Sequence, residues 1–327
     1  MKSKSISIIL GLLIIASMVL AACQPAPVET ERTVVVTQVV EQAGETVVQT
    51  QVVEITSTPA PVQEEAQPVT YNNSDTSDIP TLDPQIAEDV TSNDYIENIF
   101  VNLTNYDLET NEIVPEAATA WDISEDGLTY TFTIRTDIPW VKHNPVTGET
   151  TQEVDADGNP RFTTANDFVY GIKRACDPNT GGYYSSVIAP LIVGCSDVLN
   201  AEDPANIDPA LVEAIGVSAP DPETLVINLE FPASYFLSMT PMWTLAATPQ
   251  WAIEANGENW IEAGNIVTNG RYVMKEWVHG VRRTMVRNPL MPEDMKGTGN
   301  IEQFIVSVVP DVSTGYSLWL NNEMARA

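Results

Sequence analysis

Basic residues are scarce in this chain of 327 residues: 15 Lys and Arg stand against 45 Asp and Glu, for a formal net charge of -30. A nucleic acid or an anionic membrane surface would be repelled by that field, so no nucleic-acid partner is expected. Charge of this size favours solubility and does not name a ligand. Histidine is limited to His143 and His279, far apart in sequence, and cysteine to three positions. A metal site needs more ligands than the cysteines supply, and without a Cys/His cluster no metal centre is expected. The chain also lacks an HExxH helix, a phosphate loop and a nucleophile elbow, so neither catalysis nor a cofactor is expected. With 45 acidic residues, chance carboxylate pairs are inevitable and do not argue for a hydrolase.

The two ends of the first 70 residues differ in kind. Lys2 and Lys4 precede an apolar run over residues 6–20, too short and too early for a comfortable membrane span. The run closes on Leu20-Ala21-Ala22-Cys23, which looks like a bacterial lipobox. Residues 1–22 are read as a lipoprotein signal peptide, with Cys23 lipidated and left as the new N-terminus. An ordinary signal peptide with a nearby Cys is the plainer alternative. Residues 23–70 then read as a tether rich in Val, Thr, Gln, Glu and Pro, with no aromatic residue before Tyr71. Thr33-Val-Val-Val-Thr-Gln-Val-Val-Glu41 recurs imperfectly as Thr46-Val-Val-Gln-Thr-Gln-Val-Val-Glu54. Such alternation could pair as strands, yet with no core anchor an extended, solvated stalk is expected.

Residues 71–327 carry the signals of a globular domain. Tyr95, Ile96, Ile99, Phe100 and Leu103 fall at helical spacing, with Thr91-Ser92-Asn93-Asp94 as the expected N-cap cluster. The turn Ser124-Glu-Asp-Gly127 leads into strict alternation through residue 135, a strong hairpin signal. Asp155-Ala-Asp157-Gly158-Asn159 lacks the spacing of a calcium loop and reads as a turn. Thr164-Ala-Asn-Asp167 is a capping box opening a helix. Further strands are expected at residues 215–217, 224–229, 272–278, 283–287 and 301–309, and a helix from Ser313 to Leu320. In an exported chain, Cys176 and Cys195 are the candidates for a disulfide, two free buried thiols being the alternative.

Several of these pieces, in order, resemble family 5 of the extracytoplasmic solute-binding proteins of ABC importers. They are Thr81-Leu-Asp-Pro84, Ile113-Val-Pro-Glu116 with Ala120-Trp121, and Ser124-Glu-Asp-Gly-Leu-Thr-Tyr-Thr-Phe132. Thr164-Ala-Asn-Asp-Phe-Val-Tyr170 with Lys173-Arg174 and Asp177-Pro178 follows, then Asn269-Gly270 with Tyr272, Lys275-Glu-Trp277 and Arg287-Asn-Pro289. The resemblance implies an α/β fold, the first lobe of a two-lobed clamshell with a mixed sheet and flanking helices. It implies capture of a peptide or other small solute outside the membrane and delivery to ABC permease subunits. Family chains continue for a second lobe, so this chain is expected to hold most of the first lobe only. For ligand contacts in that lobe the candidates are Asp83, Thr91, Ser92 and Asn93, followed by Tyr235 and Trp243. Arg271 stands where the family usually has Pro, which is expected to loosen that turn. The competing readings are a non-transport surface lipoprotein, in which the lobe serves as an interaction module, and a non-functional fragment.

Overall fold

The computed structural model describes residues 34–42, 45–53 and 69–325, in two units divided between Glu65 and Ala66. In the first unit β1 (Val34–Gln42) and β2 (Glu45–Val53) pair antiparallel. The two copies of the repeat, expected as an extended stalk, thus satisfy each other's backbone groups. The signal peptide and Cys23 lie outside the described residues, as do the flanks of the tether.

The second unit begins with β3 (Val69–Asp75), two residues before the expected domain boundary, then α1 (Val90–Ile99), β4 (Thr104–Tyr106), β5 (Ile113–Pro115), β6 (Ala118–Ile123) and β7 (Thr129–Ile134). It continues through β8 (Val141–His143), β9 (Thr150–Gln152), α2 (Ala165–Cys176), α3 (Ser185–Ile188), α4 (Cys195–Leu199) and α5 (Pro209–Glu213). The remainder is β10 (Val217–Asp221), β11 (Thr224–Asn228), α6 (Gln250–Asn256), β12 (Val267–Thr268), β13 (Tyr272–Val278), β14 (Arg282–Arg287), β15 (Ile301–Val308) and α7 (Val312–Leu320). One mixed sheet has the order β13-β14-β15-β3, in which only β15 and β3 run parallel. A second, antiparallel sheet has the order β10-β11-β7-β6, and a third joins β12, β8 and β9.

The expected hairpin forms, with Gly127 at φ 72° in its turn. Alternation buries Tyr130, Phe132 and Ile134 of β7, which meet Ile96, Ile99 and Leu103 in one core with Phe168 and Ile172 of α2. Each such side chain contributes about 1.5–3 kcal/mol on leaving water, so this cluster drives folding. Helix α1 starts earlier than expected. Its N-cap is Asp89, whose carboxylate accepts from the Ser92 N–H at 2.8 Å, and Thr91 to Asp94 lie inside the helix. Asp89, and not Asp94, supplies the carboxylate that meets a free N–H of the first turn. Between Tyr183 and Asn200 the chain forms two short helices, α3 and α4. The Asp155 carboxylate is occupied by the N–H groups of Asp157 and Asn159 and the Asn159 amide, as a turn requires.

The turn at Arg271 is not loosened. Gly270 passes so close to the end of α1 that a Cβ there would lie 2.4 Å from the Ile99 carbonyl carbon. The N–H groups of Asn269 and Gly270 both donate to the Ile99 carbonyl. Buried Asn269 accepts from Val101 N–H and donates to Thr163. Arg271 pairs with buried Glu116 at 3.2 Å and donates to the Met295 carbonyl at 2.9 Å. Those contacts replace the stiffness a Pro would bring.

Cys176 ends α2, Cys195 begins α4, and the two are bonded with Cα atoms 5.2 Å apart. Closing a loop of this size removes unfolded-state entropy, so Cys176→Ser/Cys195→Ser is expected to lose about 3 kcal/mol in urea unfolding. A second prediction concerns Asp167, which completes the capping box of α2 and accepts from the Trp140 indole at 3.4 Å. Burial pushes its carboxyl up to about 6 against the hydrogen bonds from Thr164. The folded state therefore holds a proton that the unfolded chain releases near pH 4, and the stability this group contributes falls as pH rises from about 4 to about 6. Asp167→Asn is expected to remove that slope in melts across pH 4–7, measured as the difference from the unsubstituted chain.

Candidate functional site

In an open α/β sheet, ligands are taken at the carboxyl ends of the strands, where the connections diverge. The parallel pair β3 and β15 ends at Asp75 and Val308. From there residues 76–89 leave β3 for α1, and α7 follows β15. Residues 76–89 have no helix or strand of their own. Their shape is set by three anchors, each an acceptor in this segment met by donors from much later in the chain.

The first anchor is Asp78. It accepts from Arg283 at 2.7 Å, the Trp277 indole at 3.1 Å and the Gly280 N–H at 2.7 Å. His279 lies at 3.5 Å and turns its other nitrogen to Glu262 at 3.0 Å. Burial pushes the Asp78 carboxyl up, but the bonds from Gly280, Trp277, Arg283 and Ile79 outweigh it and hold it below the usual range. Arg283 itself is fully buried. It also pairs with Asp75, donates to the Tyr95 hydroxyl at 3.0 Å and lies 4.9 Å from the Tyr95 ring centre. Burial, acting first, raises the Tyr95 phenol, so it stays a neutral donor to Asp75. One guanidinium thus joins β14, the end of β3, residues 77–78 and α1.

The second anchor is Asp83, 2% exposed. Arg174 of α2 meets it with both nitrogens, at 2.6 and 2.5 Å, and Trp260 donates to it at 3.1 Å. The Gln85 N–H donates to the same carboxylate at 3.0 Å, and Gln85 accepts from Arg174 and Thr248. The third anchor is the Ala87 carbonyl, which accepts from the Trp243 indole at 3.0 Å. Trp243 in turn stands edge-on to Tyr184 at 5.1 Å, and Tyr184 to Tyr183 at 5.3 Å. Pro80, Ile86, Val90 and Tyr183 are exposed in this neighbourhood.

Several expected ligand contacts change role. Asp83 is corrected from ligand contact to internal clamp, because its carboxylate is buried and met by four donors. Ser92 is fully buried in α1, and its hydroxyl has no protein partner. Thr91 is half-buried, and the half-buried Asn93 donates to Glu97 at 3.1 Å while its amide oxygen is unpartnered. Trp243 joins this neighbourhood through Ala87. Tyr235 does not: it is 53% exposed on a turn tied to Tyr130 and Tyr106 through the carbonyls of Ala233 and Ser238. Sequence reasoning missed Arg283, Trp260, Tyr183 and Tyr184. The three arginines of Arg282-Arg-Thr-Met-Val-Arg287 give no sign of which is buried.

Removing Arg174 would leave a buried, uncompensated carboxylate. Arg174→Met is therefore expected to lose about 3–5 kcal/mol, read by urea unfolding, and Arg174→Met/Asp83→Leu to recover much of that loss.

The profile of the bacterial extracellular solute-binding proteins, family 5 Middle, matches residues 112–325. The periplasmic oligopeptide-binding protein OppA of Escherichia coli is 32% identical over 252 residues, covering 76% of this chain and 41% of the relative. The probable deoxycholate-binding periplasmic protein YgiS of the same organism is 32% identical over 219 residues, covering 67% and 36%. Among solved structures, the substrate-binding domain of an oligopeptide ABC transporter from Bacillus anthracis superposes with a TM-score of 0.66 at 26% identity, over 79% of this chain and 45% of that one. Listeria monocytogenes OppA bound to peptide gives 0.66 at 25%, over 79% and 46%. The chain thus spans about two-fifths of the length of these curated relatives and matches one lobe of the solved structures.

Proposed function

Because the chain belongs to the bacterial extracellular solute-binding proteins of family 5, we propose that it is the substrate-binding component of an ABC importer. In this reading it captures peptides outside the membrane and passes them to permease subunits. Cys23, once lipidated, holds it at the cell surface, and residues 24–68 with the hairpin form the spacer. The role is binding, without a chemical step.

The observation that supports this reading best is the anchoring of residues 76–89. Asp78, Asp83, Gln85 and the Ala87 carbonyl are turned inward to Arg283, Arg174, Trp260 and Trp243, while Pro80 and Ile86 stay exposed. A preformed surface of this kind lowers the ordering cost of binding. Thr91, Asn93, Tyr184 and Trp243 are the side chains proposed to meet the ligand. Closure would follow from a ligand that touches two lobes and so favours the closed state by its differential affinity.

Calorimetry of the full chain against a library of short peptides tests this. Heat and saturation by at least one peptide are expected, with Trp243→Ala weakening binding roughly tenfold in a chain that still unfolds cooperatively, at a melting temperature lowered by the lost packing and the lost bond to Ala87. Deoxycholate is the comparison ligand, because one relative is named for it. Heat from deoxycholate and none from peptides would keep the binding role and reject the peptide. A folded chain that responds to neither would reject the proposal.

A further inference from the structure

Strands β1 and β2 form a two-stranded sheet of their own. They pair over nine positions, from Val34–Val53 to Gln42–Glu45, with no break in register. At six of these a residue type faces itself: Val34–Val53, Val35–Val52, Thr37–Thr50, Gln38–Gln49, Val39–Val48 and Val40–Val47. The cause lies in the sequence. Residues 47–53 of β2 read Val-Val-Gln-Thr-Gln-Val-Val, the same in both directions about Thr50. A strand with that property is its own antiparallel complement.

An isolated two-stranded hairpin is marginal in water, and independent stability takes three or more strands or a packed partner. Among the described residues no third strand joins it, and each outer edge carries N–H and C=O groups ready to template another strand. The usual protections are missing here: residues 34–53 contain no Pro, Lys or Arg, and the ladder has no bulge. Their only charges are Glu41 and Glu45. In a chain of net charge -30, this is a segment where two copies can approach with little local repulsion.

We propose that the free edge of β2 pairs antiparallel with β2 of a second copy about a two-fold axis at Thr50, giving a four-stranded sheet. Val47 then faces Val53 of the second copy, Val48 faces Val52, Gln49 faces Gln51 and Thr50 faces itself. Such an interface is isologous and closes at two chains. The edge of β1 is the poorer match, since the same operation about Thr37 sets Val36 against Gln38.

Sedimentation equilibrium of the full chain in density-matched detergent tests the proposal. A reversible dimer is expected, tightening as salt rises because ions screen repulsion between the two acidic bodies. Thr50→Lys and Thr50→Glu each place like charges on the axis and are expected to weaken the dimer about fivefold or more. Mixing the two variants is expected to restore it as a heterodimer. Within one hairpin residue 50 faces only Thr37, so simple loss of the hairpin would not be rescued by mixing. A monomeric unsubstituted chain, a dimer indifferent to both substitutions, or a mixture no tighter than its components would overturn the proposal.

Discussion

The described lobe depends on one buried ion pair, between Asp83 and Arg174. The apolar core would collapse without it, because Ile96, Ile99, Phe132, Phe168 and Ile172 supply the driving force. Collapse alone does not fix a segment that has no helix or strand. Arg174 reaches Asp83 with two parallel hydrogen bonds, and a fork on a carboxylate tolerates little change of angle. Trp260 and Gln85 use the remaining acceptor capacity. The pair therefore contributes position more than net stability, since burying two charges costs about what their attraction returns.

The same economy recurs across a chain with few cations. Among the described residues, Arg135, Arg174, Arg271, Arg282, Arg283 and Arg287 each pair with a carboxylate, and Arg161 lies over the Trp251 ring at 4.2 Å. Three of these arginines link elements distant in sequence: Arg283 joins β14 to β3 and α1, Arg271 reaches the end of β5, and Arg174 ties α2 to residues 83–85. Cations drawn into such joints leave most acidic side chains facing solvent.

Local signals were legible where the chain decides structure by itself. The alternation of residues 128–135 forced one face inward, and the capping box at Thr164–Asp167 formed both of its bonds. The order of short motifs was enough to indicate the family. Less was legible where two local solutions competed. Thr91-Ser-Asn-Asp94 and Asp89 both offer caps to α1, and the choice fell to the one already positioned by the anchored segment before it. At the candidate site, the Asp83 carboxylate is turned inward to Arg174 and Trp260, and Ser92 is buried in α1. A carboxylate reads alike in sequence whether it meets solvent or a guanidinium 91 residues later.

The sequence by itself determined the acidic character, the strand and helix periods, the turn at Gly127 and the self-complementary order of residues 47–53. All of these are carried by neighbours along the chain, within reach of two or four residues. Only the tertiary structure decided which arginine of β14 is buried, which acids become clamps, and that Arg271 finds Glu116 instead of loosening its turn. Those outcomes depend on which donors arrive from 90 to 200 residues away. Such meetings are set by the packing of whole elements, and local composition carries no trace of them.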